Sequence, residues 1–71
     1  MSSIKKAELE RQVRMLNNVT DGDYSLDWAY GGVRVERAGG SVDVTERGSK
    51  RAVHAMLRGM IHVAVLENLN P

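Results

Sequence analysis

The stretch Y-S-L-D-W-A-Y-G-G-V-R-V-E-R, Tyr24 to Arg37, decides the fold, because here the apolar spacing changes from three or four residues to two. Tyr24, Leu26, Trp28 and Tyr30 fall on one face and Ser25, Asp27 and Ala29 on the other, the period of a half-buried strand. Val33 and Val35 resume the alternation after Gly31-Gly32, and Ser41 to Thr45 repeats it with Val42 and Val44. Gly31-Gly32 and Ala38-Gly39-Gly40 sit where hairpin turns call for positive φ. These segments predict a three-stranded antiparallel meander. Its covered face carries Leu26, Trp28, Val33, Val35, Val42 and Val44 together with the tyrosines, and Trp28 is the expected anchor of the core. Its wet face carries Arg34, Glu36 and Asp43.

Helical periods flank the meander. Over residues 3–18, Leu9, Val13 and Leu16 form one apolar stripe edged by Gln12 and Val19, with Ser2 or Ser3 as the expected N-cap. Asn17-Asn18 and then Asp21-Gly22-Asp23 end this helix in a turn. Gly48 closes the sheet, and Ser49 caps a second helix running to about Asn68, with Pro71 beyond it. Val53, Met56, Leu57, Met60 and Ala64, flanked by Ile61 and Val63, are expected to pack on the sheet. The chain thus reads as a single small α+β domain over residues 1–71. Two helices cover one face of a three-stranded antiparallel sheet in the order αβββα.

Composition narrows the function. Ten Lys/Arg against nine Asp/Glu leave a net charge of +1, so neither a strongly basic nucleic-acid binder nor an acidic DNA mimic is indicated by bulk charge. Cysteine is absent, which removes disulfides, thiolate metal sites and thiol nucleophiles. The charged N-terminus does not read as a signal peptide, and Ala52 to Leu66 is interrupted by His54, Arg58, Gly59 and His62. A soluble protein of a bacterial cytoplasm is expected, with no membrane partner.

Several motifs that suggest chemistry fail on context. A phosphate-binding loop places its glycines between a strand and a helix N-terminus, whereas both glycine pairs here lead into strands. Gly48-Ser49-Lys50 precedes a helix but lacks the upstream glycine of a P-loop. Asp21-Gly22-Asp23 lacks the further ligands of a calcium loop and is read as an Asx-type turn. His54 and His62 are too far apart along a helix to chelate a metal. No Ser or Thr lies in a nucleophile motif, so no catalytic, metal or cofactor residue is assigned and the chain is read as non-enzymatic.

Two surfaces remain as candidates. Arg47, Lys50, Arg51, His54, Arg58 and His62 place six cationic or protonatable groups on or beside one face of the second helix, suited to phosphates or to an acidic protein surface. Histidine protonation would tighten such binding below about pH 6.5. Val65, Leu66 and Leu69 leave the last turns apolar nearly all round, a contact for a partner or for another copy of the chain.

D-Y-S-L-D-W-A-Y-G-G-V-R-V-E-R, followed by V-D-V-T-E-R-G-S-K-R-A-V-H-A-M-L-R-G-M-I, resembles small proteins of bacterial phages and integrated prophages over about residues 24–61. The element order alone is similar to that of some phage anti-CRISPR proteins, a likeness of layout that carries no residue over. The resemblance implies a phage or mobile-element interaction protein that binds a host or viral macromolecule, such as a component of host defence. The alternatives are a nucleic-acid-binding module using the basic helix face and a homo-oligomeric assembly component.

Overall fold

The computed structural model describes residues 4–69. Helix α1 (Lys6–Thr20) leads into strands β1 (Ser25–Ala29), β2 (Gly32–Arg37) and β3 (Val42–Asp43), and helix α2 (Lys50–Leu69) closes the chain. The strands are antiparallel in the order β1-β2-β3, so the expected α+β arrangement of helix, sheet and helix is the observed one.

Leu9, Val13 and Leu16 of α1 are buried, as the stripe requires. Lys5 stands at the N-cap without a side-chain bond. Ser2 and Ser3, the expected caps, and Pro71 lie outside the described residues. At the other end Thr20 Oγ1 donates to the Leu16 carbonyl (2.7 Å) and accepts the Gly22 N–H (3.1 Å), while Asp21 takes the left-handed conformation that stops a helix. Asn17 then clamps the returning chain: its amide donates to the Tyr24 carbonyl (3.0 Å) and its oxygen accepts the Tyr24 N–H (2.8 Å). The turn at Asp21-Gly22-Asp23 is a clasp between loops, with Asp23 Oδ2 accepting the Ala38 N–H at 3.1 Å.

Leu26 pairs with Val35, Trp28 with Val33 and Ala29 with Gly32, leaving Tyr30-Gly31 as a two-residue hairpin turn. Both turn residues have positive φ (52° and 71°), the requirement of a type I′ turn. The expectation that Gly31-Gly32 forms the turn is therefore off by one residue. Gly32 serves a different purpose. A Cβ there would lie 2.8 Å from the Gly48 carbonyl oxygen and 3.2 Å from Arg47 Cγ, so only glycine lets the chain around Arg47 cross so close.

The third strand is shorter than the predicted Ser41 to Thr45. Asp43 lies opposite Glu36 and Gly48 opposite Val33, so five steps along one chain face three along the other. The surplus is a bulge: the Val44 and Thr45 N–H groups both donate to the Val35 carbonyl (2.9 and 3.3 Å), and Thr45 Oγ1 accepts the Val35 N–H at 3.1 Å. Val44 is half-buried against the core as expected, but Val42 is exposed because it sits beyond the helices' cover.

The core is aliphatic: Leu9, Val13, Leu16, Val33, Val35, Val53 and Leu57 are buried, with Tyr24, Leu26, Trp28, Met60, Ile61 and Ala64 around them. Trp28 is thus a half-buried rim residue rather than the central anchor. Met56 and Val63, expected against the sheet, are exposed, as is Tyr30. Ser49 caps α2 as read, its Oγ accepting the Ala52 N–H at 3.1 Å.

Gln12 donates to the His54 carbonyl (3.3 Å) and Asn68 to the Val19 carbonyl (3.0 Å), so α1 and α2 run side by side in the same direction. Both helix N-termini therefore meet at the Tyr30-Gly31 tip, and both C-termini at the end formed by Asp21 to Asp23 and Ala38 to Ser41.

Candidate functional site

Val53 and Leu57, one turn apart on α2, are fully buried and fix which face of the helix meets the sheet. His54, Arg58 and His62, also at four-residue spacing, are consequently turned toward α1. With Gln12, Met15, Ile61 and Val65 they line an open groove of about 570 Å³ between the two helices. Ile61 and Val65 belong to α2 and Met15 to α1, so the groove has apolar surface in its middle and imidazole and guanidinium groups along one side. The Gln12 amide spans the helices by its bond to the His54 carbonyl, and its Oε1 is buried without a hydrogen-bond partner.

The six candidate cations part company in three directions. His54, Arg58 and His62 share the groove. Lys50 borders a separate hollow with Trp28, Ala29, Gly31 and Gly32, and Arg51 is exposed on the first turn of α2. Arg47 is drawn off the helix face onto the sheet. It crosses over Gly32, donates to the carbonyls of Asp27 (3.0 Å) and Ala29 (3.3 Å), and pairs with the Asp27 carboxylate. Among the described residues no carboxylate lies within ion-pair distance of Lys50, Arg51 or Arg58, so the cations of α2 keep their charge for other uses.

The outer face of the sheet is the opposite case. Arg34 donates from Nε and Nη2 to Glu36 Oε2 (3.0 and 2.8 Å) and also pairs with Asp27 (3.5 Å) and Asp43 (3.4 Å). Its hydrogen bond to Glu36 raises its pKa further above the ordinary guanidinium value. Hydrogen bonding from Arg47 is the main cause that holds the Asp27 carboxyl below its usual value, against a smaller opposing effect of burial. Glu36 is buried within this cluster, although its place in the alternation puts it on the face predicted to be wet. Arg37, the other arginine of the sheet, pairs with Asp23 at 3.6 Å and lies over the Tyr24 ring. Arg34 is not available to a ligand without breaking an internal pair, whereas Arg37 is half exposed and engages Asp23 through Nε.

Val65 walls the groove, while Leu66 and Leu69 are exposed beyond it, Leu69 at 71%. Sequence reasoning missed Met15 and Gln12 as groove residues. Met15 is one helical turn from Gln12 and off the buried stripe, and an exposed methionine there was the available signal. The hydroxyls of Thr20, Ser41 and Thr45 all donate to nearby backbone carbonyls, the behaviour of capping groups. No helix among the described residues is long and apolar enough to cross a membrane. Comparison with protein-family models, curated proteins and solved structures finds no match.

Proposed function

We propose that the protein is a non-enzymatic interaction module that takes an acidic, amphipathic segment of a partner protein into the groove between α1 and α2. The observation that carries this reading is the combination in one groove of apolar surface from Met15, Ile61 and Val65 with an unpaired Arg58 and two histidines. An amphipathic helix docks by laying its apolar side on such a surface, and its carboxylates then meet the cationic rim. The resemblance to phage and prophage proteins makes a bacterial host or viral macromolecule the natural source of that segment, with a host-defence component the specific instance we favour.

A photo-crosslinking amino acid in place of Val65 tests this in a bacterial lysate. A single protein is expected at this position, carrying an acidic amphipathic stretch at the crosslinked site, and Arg58→Glu is expected to abolish the crosslink. A crosslink that survives Arg58→Glu contradicts the reading.

Self-association is the second reading, favoured by the exposure of Val63, Val65, Leu66 and Leu69 on the last turns of α2. Sedimentation distinguishes it: a dimer that Leu66→Lys converts to monomer supports an apolar self-contact, and a monomeric wild-type chain removes it.

A further inference from the structure

The chain places its most exposed aromatic where the fold has least use for one. Tyr30 is 95% exposed and holds φ 52° at the first position of the hairpin turn. Asparagine or glycine satisfies that left-handed position at lower cost, so the backbone gains nothing from a tyrosine. One side of the ring is backed by the Arg47 guanidinium, 5.5 Å from the centroid, and Arg47 is itself fixed by Asp27 and two backbone carbonyls.

Cations surround this tip. Lys6 Nζ stands 5.1 Å from the Trp28 ring centroid, and Lys50 borders the hollow of about 390 Å³ formed with Trp28, Ala29, Gly31 and Gly32. Among the described residues neither lysine has an ion-pair partner. The parallel helices bring Lys5 and Arg51 to the same end, and Asp27 there is engaged by Arg47; the other carboxylates on this side are Glu8, Glu46 and Glu10, the last lining a hollow with Lys6 and Trp28. Asp21, Asp23 and Glu67 lie toward the opposite end.

We propose that this end, Tyr30 with Trp28, Lys6 and Lys50, binds single-stranded nucleic acid, a base stacking on Tyr30 and the phosphates meeting the lysines. Trp28 lines two hollows, one bordered by Lys50 and the other by Lys6 and Glu10, and Tyr30 stands exposed at the adjoining turn over the Arg47 guanidinium. That pairing suits a strand whose bases offer a π face and whose backbone is anionic. An acidic protein would use the charge but not the exposed ring. The site is separate from the α1–α2 groove, so it stands or falls independently of the reading given for that groove.

The experiment titrates the full chain into a fluorescein-labelled oligothymidylate of about ten nucleotides, within the span such sites cover. Anisotropy and the emission of Trp28, the sole tryptophan, are read together. Binding is expected to quench Trp28 and to weaken with salt, with a slope reduced by about 0.7 for each phosphate contact removed by Lys6→Ala or Lys50→Ala. Tyr30→Asn, which suits the turn, is expected to keep the circular dichroism spectrum and weaken binding about tenfold or more, while Tyr30→Phe binds as the wild type does. Val65→Ser, in the groove, is expected to leave it unchanged. Absence of binding, affinity unaltered in Tyr30→Asn, equal affinity for duplex DNA, or equal affinity for polyglutamate would each overturn the proposal.

Discussion

Arg34 and Arg58 carry the same charge on two layers of one small domain, and the fold treats them in opposite ways. Arg34 is enclosed by Glu36, Asp27 and Asp43 on the outer face of the sheet. Arg58 projects into the groove between the helices with no carboxylate near it. Local sequence explains part of the difference, since Glu36 is two positions from Arg34 and shares its strand face. The rest is topological: antiparallel pairing brings Asp27 and Asp43 of the neighbouring strands to the same cluster, whereas the parallel course of the helices gives α2 a neighbour whose facing residues, Gln12 and Met15, are uncharged. Cations of the sheet hold the fold together. Cations of α2 are left for a partner.

Substitutions can break this contrast. Gly32→Ala is expected to have the largest effect, about 1–3 kcal/mol of lost stability, because its Cβ collides with the Gly48 carbonyl and displaces Arg47 from the sheet. Urea unfolding measures it. Glu36→Ala should cost about 1.5 kcal/mol, the low end for hydrogen bonds to charged groups, since Arg34 retains Asp27 and Asp43. Tyr30→Asn should act in the other direction and stabilise by about 1 kcal/mol through relief of the left-handed backbone. Gly59→Ala should add a further ~0.5–1 kcal/mol, because the glycine is inside α2 and a Cβ there meets open space. Arg58→Glu, the smallest, should stay within about 0.5 kcal/mol of the wild type in stability while losing the partner.

The sheet side of the contrast also has a pH signature. Asp27 is held below its ordinary value of 3.8 chiefly by the Arg47 hydrogen bond. A carboxyl lowered in the folded state contributes stability that is complete above the unfolded value and is lost as pH falls through the folded one. A carbon-detected NMR titration should therefore place the Asp27 midpoint below 3.8, and Arg47→Gln should move it upward. An unmoved midpoint would show that the Arg47 bond is not what holds it.

Much of this was legible in the sequence, and the exceptions share a cause. Helices α1 and α2 and the hairpin β1-β2 follow from apolar spacing, because burial selects the face regardless of what lies across from it. The position of the first turn was also recoverable: pairing Leu26 with Val35 and Trp28 with Val33 forces Tyr30 and Gly31 into the loop, so Tyr30 cannot continue the covered face. The third strand resisted because a side chain, Thr45 Oγ1, takes the place of a backbone acceptor for Val35, and alternation carries no trace of that substitution. Arg47 resisted for a similar reason. Proximity in sequence to α2 suggested the helix face, but its direction depends on the missing Cβ of Gly32, fifteen positions earlier in the chain. The groove itself needs the relative direction of two helices separated by three strands, and only the hydrogen bonds from Gln12 and Asn68 make that direction plain.

The division between engaged and available arginines can be read directly from side-chain NMR. In the free protein the Arg34 Nε–H, bonded to Glu36, should exchange slowly with solvent, while the corresponding signals of Arg51 and Arg58 should exchange fast. On adding the protein captured by the Val65 crosslink, the Arg58 signal should shift and slow while Arg34 stays unchanged. Rapid exchange at Arg34 in the free protein, or a response to the partner at Arg34 instead of Arg58, would contradict the account.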